Sequence, residues 1–247
     1  MALYKVILSY DGTNFLGFQR QSNGRTVQGV VENALNKIGW KGCSILSAGR
    51  TDSGVHASGQ VIAFDLDWNH ANLDLQRALN ANLPNDVAVR SIEVAEDNFH
   101  PRYDAYSRHY RYRIFCEEIR RPLRERYAWR VWPEVNLDLL EAGAHHFPGT
   151  HDFASFGSPL NSGGSTIRTI YSAIWSRDED ELIFDIEGNA FLYRMVRRIV
   201  FFLVKIGQGK VDPDKVKDQL RTGMSSQIQG LAPSCGLNLM RVDYSSS

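Results

Sequence analysis

Apolar and polar positions alternate over residues 3–10, a stretch rich in Tyr, Val and Ile, and this period of two predicts a strand that the Asp11-Gly12 pair ends. After Thr26 the apolar residues Val27, Val30, Val31, Ala34, Leu35 and Ile38 recur at helical spacing, with Thr26 as the cap and Gln28 and Glu32 on the polar face. Residues 44–47 and 60–67 read as strands on either side of a polar loop, 73–83 as a helix and 87–94 as a closing strand. The same order then recurs. A strand runs from Ser107 through Tyr112 and Phe115, followed by a helix over 137–146 and a hairpin of 167–175 and 182–186. A strongly apolar helix over 191–206, a helical segment over 212–221 and a last strand over 237–244 complete the chain.

Strand, helix, two strands, helix, strand, met twice, predicts an α+β fold of two ferredoxin-like units with mostly antiparallel sheets flanking a central cleft. Proline and charge interrupt both patterns at Phe99-His100-Pro101-Arg102, which sets the units at 1–100 and 101–247. The first carries the polar loop and the second completes the cleft. Residues 149–168, with Gly157, Pro159, Gly163 and Gly164, form too long a loop to be passive and are predicted to be a mobile flap or binding loop.

A chain of 247 residues with 43% hydrophobic composition can bury a substantial core. Its start lacks the features of a signal peptide, and its longest apolar run, 199–204, is far short of the roughly 20 residues that cross a bilayer, so the expectation is a cytoplasmic protein with no membrane contact. Cys43, Cys116 and Cys235 are odd in number and far apart, which suggests reduced thiols. His145, His146 and His151 cluster, but adjacent residues on a helix diverge by about 100 degrees, and no metal site is expected. Net charge is zero, yet nine arginines stand against four acids between His100 and Arg130, while 178–187 holds six acids and no base. Such separation can build a basic cleft that gathers polyanions. The acidic run reads as a solvated face.

Three constellations could carry chemistry. Gly49-Arg50-Thr51-Asp52-Ser53-Gly54-Val55-His56-Ala57-Ser58 centres on one carboxylate, and an aspartate is anionic at neutral pH without help, ready as a nucleophile or proton acceptor. Turn hydrogen bonds by Thr51, Asp52 and Ser53 explain the same residues, and for the loop alone that is the better reading. Ser107 to Arg113 alternates so that Arg108, Tyr110 and Tyr112 share one strand face, suited to stacking on bases or to cross-strand packing. In Phe191 to Arg198, the residues Arg194, Arg197 and Arg198 fall on one side of an apolar helix, where they would need anionic partners or reach solvent by their long stems.

These strings together resemble the tRNA pseudouridine synthase A family. The resemblance rests on Gly49 to Ala57 with Gln60-Val61 and Phe64; on Tyr10-Asp11-Gly12 with Phe15, Gly17 to Gln19 and Gln21; and on Thr26-Val27-Gln28. It continues in Ser107-Arg108 with Tyr110 and Tyr112, in Gly149 with His151-Asp152-Phe153 and Ser155-Phe156, and in Met195-Val196-Arg197, all in consistent order. Phe18 stands where the family frequently has tryptophan, Phe201 where it often has glycine, and Ser226-Gln227 where an Asp-Arg pair is expected.

The resemblance implies an isomerase that converts uridine to pseudouridine at positions 38, 39 and 40 of the anticodon stem and loop of tRNA, with no cofactor. It makes Asp52 the catalytic nucleophile, Arg197 the partner that holds it, Tyr110 the aromatic contact to the target uracil and Arg50 the residue that helps displace the flipped base. It also implies a homodimer binding one tRNA across both subunits. Two other classes compete: a tRNA-binding protein without chemistry, and a hydrolase using Asp52, Ser53 and His56. The hydrolase fares worst, since three residues within five positions cannot readily form a relay and no nucleophile elbow surrounds Ser53.

Overall fold

The alternation of residues 3–10 is realised as β1 (Ala2–Tyr10), in which Tyr4, Val6, Leu8 and Tyr10 are buried at every second position. The computed structural model describes residues 1–161, 163–221 and 228–244, so Ser226-Gln227 lie outside the described residues. Two compact units emerge, Met1–Tyr106 with Asn238–Ser247, and Ser107–Leu237.

In the first unit β1 is followed by α1 (Val27–Lys37), β2 (Leu46–Ser47), β3 (His56–Leu66), α2 (Asn72–Asn82) and β4 (Val87–Val94). β1 pairs antiparallel with both β3 and β4, and β2 pairs antiparallel with β3. This is the β4-β1-β3-β2 order of a ferredoxin-like unit. The Thr26 hydroxyl caps α1 by accepting from the Gly29 N–H at 3.3 Å, as its sequence context predicts. β3 begins at His56, not at residue 60, because Ala57 pairs with Tyr10 across a bulge between Leu8 and Tyr10. The polar loop is therefore shorter than the polar sequence suggests.

In the second unit come β5 (Ala105–Cys116), β6 (Trp129–Val131), α3 (Leu137–Ala144), β7 (Gly149–Asp152), β8 (Ile167–Asp178), β9 (Glu181–Gly188), α4 (Met195–Gly207) and α5 (Lys215–Gln219). The strands run β5-β9-β8-β7, all antiparallel, and the short β6, which no period announced, lies parallel to β5. The last strand, β10 (Leu237–Tyr244), returns to the first unit, where Asn238 and Leu239 pair in parallel with His56 and Ala57.

Two expectations change here. Residues 149–168 are not a free flap: β7 pairs with the start of β8, and Phe153 and Phe156 are fully buried, stacking and edging on Phe147. The apolar segment 191–206 becomes helical only at Met195. Before that, the Tyr193 N–H donates to Ser158 O at 3.0 Å and Arg194 adopts φ 63, so strand-like pairing overrides the helical pattern. Among the described residues no helix is long and apolar enough to cross a membrane.

Candidate active site

Asp52 sits half-buried on a turn closed by the Val55 N–H donating to Asp52 O at 3.2 Å, with Gly54 at φ 76 supplying the left-handed bend. The segment before α1 clamps this turn from one side. The Phe18 N–H donates to Thr51 O, the Gly54 N–H to Phe15 O, and the Ser53 hydroxyl to Phe15 O at 3.1 Å. Contact is so close that a Cβ on Gly12 would lie 2.0 Å from Val55 O, and one on Gly17 2.9 Å from Thr51 O. The glycines of Asp11-Gly12 and Gly17 are thus explained by backbone approach to the loop that carries the carboxylate.

A second set of contacts fixes the loop from β1 and β3. The Tyr10 hydroxyl lies 2.8 Å from Thr51 Oγ1, and the Gln60 side-chain amide donates to Gly49 O at 3.0 Å. Burial pushes the Tyr10 phenol up to about 12, with Thr51 and Gln60 pulling it back only in part, so it stays protonated at any ordinary pH. His56 Nδ1 accepts from the Gly12 N–H at 3.0 Å and lies 3.2 Å from Asp11 Oδ1. Thr51, Ser53 and His56 are therefore committed to holding the loop, and no hydrolytic relay can be assembled from Ser53 and His56. Tyr10 and Gln60 belong to the resemblance strings, yet their part in the loop was not legible, because a buried tyrosine in an alternating strand looks like core.

The clamp is itself braced. Gln28 Oε1 accepts from the Arg20 N–H, its amide donates to Glu32 Oε1 at 2.8 Å, and buried Glu32 also takes Arg20 Nη1 at 2.6 Å and the Ile45 N–H. A buried carboxylate with three donors is satisfied, and it ties α1 to the segment that grips Thr51. Arg50, next to the carboxylate, is exposed.

The second unit places the other sequence candidates. Half-buried Tyr110 meets Phe191 edge-on, ring centroids 5.1 Å apart. Tyr112 is fully buried, donates to Pro233 O at 2.7 Å and leaves Gly236 no room for a side chain, so of the two only Tyr110 can meet a ligand. Arg197 is half-buried in the first turn of α4, its Nε donating to Ala232 O at 2.8 Å while the Ala232 N–H returns to Arg197 O. Arg194 is the left-handed N-cap of α4, so only Arg197 and Arg198 stand on the helix itself. Arg194 is exposed over the Tyr193 ring, and Arg198 Nη1 donates to Phe156 O at 3.3 Å.

The separated charges of the sequence meet across β5 and β9. Asp185 takes His109 at 2.8 Å and both Nε and Nη2 of Arg111 at 3.0 Å, while Glu181 takes Arg113 at 2.6 Å and Arg124 at 3.1 Å. The acidic run is thus divided: Glu181, Asp185 and Glu187 take partners on the sheet, whereas Asp178, Glu179 and Asp180 are exposed, as a solvated face would be, with Asp180 meeting Arg124 at the surface. Burial raises the Asp185 carboxyl, but hydrogen bonds from His109 and Arg111 outweigh it and hold it below its ordinary value. Arg108 is buried and donates to Asn189 O at 2.7 Å. Much of the arginine excess is therefore spent inside the unit. Among the described residues no three His, Cys, Asp or Glu side chains group as metal ligands.

The family described as tRNA pseudouridine synthase matches residues 6–104 and 144–245. Similar relatives are named tRNA pseudouridine synthase A. One, from Limosilactobacillus fermentum, is 41% identical over 100% of this chain and 97% of its own length. Another, from Limosilactobacillus reuteri, is 39% identical over 99% of this chain and 97% of its own. A third, from Thermotoga neapolitana, is 41% identical over 96% of this chain and 97% of its own.

Proposed function

The chain belongs to the tRNA pseudouridine synthase family, and on that premise we propose that Asp52 is its nucleophile, Arg197 the cation that serves Asp52, Tyr110 the ring that meets the uracil and Arg50 the residue that helps keep the base displaced. As a member of this family it converts uridine to pseudouridine in tRNA. The bond between N1 and C1′ breaks, the uracil turns, and C5 joins C1′. C5 gives up its proton and N1 gains one, so no atom is added and no electron changes hands.

The observation that carries the assignment of Asp52 is the double clamp on its loop. Thr51, Ser53 and His56 are all spent on structure, leaving one acidic side chain on a turn that backbone and buried side chains hold on both sides. Preorganisation of this kind lets a carboxylate meet a reacting centre without rearrangement. Attack on the ring, attack on C1′ and removal of a sugar proton all start from the same Asp52 carboxylate.

We further infer that the target uridines are those at positions 38, 39 and 40 of the anticodon stem and loop, and that the enzyme works in the cytoplasm as a homodimer spanning one tRNA. Neighbouring targets fit recognition of tRNA shape over base identity. Incubating unmodified tRNA with the protein and mapping pseudouridine along it tests the site assignment: modification confined to 38–40 supports it, and modification elsewhere overturns it. Sedimentation with and without tRNA tests the dimer.

A further inference from the structure

α4 presents Phe201, Lys205 and Gln208 at spacings of four and three residues beyond Arg197, hence on one helix face. At about 1.5 Å per residue this face carries Phe201 roughly 6 Å and Lys205 roughly 12 Å from Arg197 along the axis. It forms one wall of a cleft of about 210 Å³, whose other wall is β6, with Trp129 and Arg130, and Trp132 just beyond it. That volume is below the roughly 300–1,000 Å³ of a drug-sized pocket and suits one planar ring system.

The lining has a consistent chemistry. Trp132 is 49% exposed, and Phe201 is partly exposed beneath Lys205, whose Nζ lies 5.4 Å from the ring centroid. Lys210 is held in place because α4 ends in a Schellman motif: the Lys210 N–H reaches Lys205 O and the Gly209 N–H reaches Ile206 O, with Gly209 at φ 69. Its Nζ donates to Gln208 Oε1 at 2.8 Å, and the Gln208 amide in turn donates to Pro133 O at 3.0 Å. A lysine in the last turn of a helix suits the helix dipole, which accounts for Lys205 alone. It does not account for a second ammonium beside two indoles and a phenyl ring. Elsewhere in this unit Arg111, Arg113 and Arg124 have carboxylate partners, whereas no ion pair joins Lys205 or Lys210 to an acid among the described residues.

We propose that this cleft is a second contact for the tRNA substrate, holding one unstacked base against Trp132 and Phe201 with the flanking phosphates on Lys205 and Lys210. The proposal rests on tRNA being the substrate and adds a site away from the reacting uridine. Base-on-aromatic stacking is sequence-tolerant, because every base offers a π-face, and each cation contributes through release of counterions.

Equilibrium binding of full-length tRNA to Trp132→Ala and to Lys205→Gln tests it, with circular dichroism to confirm the fold of each. Trp132→Ala is expected to weaken affinity about 5- to 150-fold and to leave kcat at saturating tRNA unchanged. Lys205→Gln is expected to lower the slope of log affinity against log salt by roughly 0.7–0.9. Photo-crosslinking of tRNA carrying 5-bromouridine and 5-bromocytidine should label Trp132 or Phe201. Wild-type affinity and salt slope in both folded variants, with no label in the cleft, overturn the proposal. So does a change of sedimentation without a change of tRNA affinity, which would assign the cleft to a second copy of this chain. If the wild-type protein binds tRNA but makes no pseudouridine, the enzymatic reading fails while these measurements still decide the cleft.

Discussion

The Tyr10 hydroxyl lies 2.8 Å from Thr51 Oγ1, which links the end of a central strand to the residue just before the proposed nucleophile. Replacing Tyr10 with Phe leaves the buried Thr51 hydroxyl without this partner and loosens one side of the loop. We expect a stability loss of about 1–2 kcal/mol. We expect kcat to fall roughly 10- to 100-fold, as a misplaced group does, with KM little changed. Urea unfolding and steady-state kinetics on tRNA check the two effects separately.

The same tyrosine sets an alkaline limit. Its folded-state pKa is raised from 10.0 to about 12, so its contribution is fully present below pH 10 and is lost as pH rises towards 12. The span corresponds to about 2–3 kcal/mol. Tyr10→Phe lacks this linkage, so its unfolding free energy should fall less steeply over that window than that of the wild type.

Asp185 gives the acidic counterpart. Hydrogen bonds from His109 and Arg111 overcome burial and hold its carboxyl below the ordinary value, so its stabilisation is present above the unfolded pKa and disappears as pH falls below about 4. Asp185→Asn should cost roughly 1–2 kcal/mol at neutral pH, since the pair is only partly buried, and should flatten the acid limb of the stability profile. Denaturation at several pH values measures both.

Because Arg111 is spent on Asp185, it should contribute little to tRNA binding. The protein's affinity for tRNA is expected to fall steeply with salt, but Arg111→Gln should leave that slope nearly unchanged, where loss of a true phosphate contact removes about 0.7–0.9. Filter binding across a salt series distinguishes the two.

Much of this molecule was legible in its residues. The strand at Leu3 to Tyr10, the Thr26-capped helix and the position of Asp52 in a polar loop all follow from local period and turn chemistry. Local pattern failed where distant chain took over. Phe191 to Arg194 is apolar enough for a helix, but Tyr193 pairs with Ser158 first. Residues 149–152 look like loop because their strand is defined only by its partner at 167–170. Within the acids at 178–187, Asp185 looks solvated like its exposed neighbours Asp178 to Asp180 until the register of β5 on β9 sets it opposite Arg111. The clamp of Tyr10, Gln60, Gln28 and Glu32 had no signal of its own, since each of these polar groups has at least one partner more than ten residues away: Thr51, Gly49, Ser44 and Ile45 in turn.

The central claim is that Asp52 performs the chemistry. Release of tritium from C5-labelled uridine in tRNA, measured for Asp52→Asn beside the wild type with tRNA affinity determined in parallel, tests it most directly. Release is expected to fall at least about 10³-fold in the Asn variant, with affinity retained within a few-fold. Release by the Asn variant at a rate near wild type would contradict it.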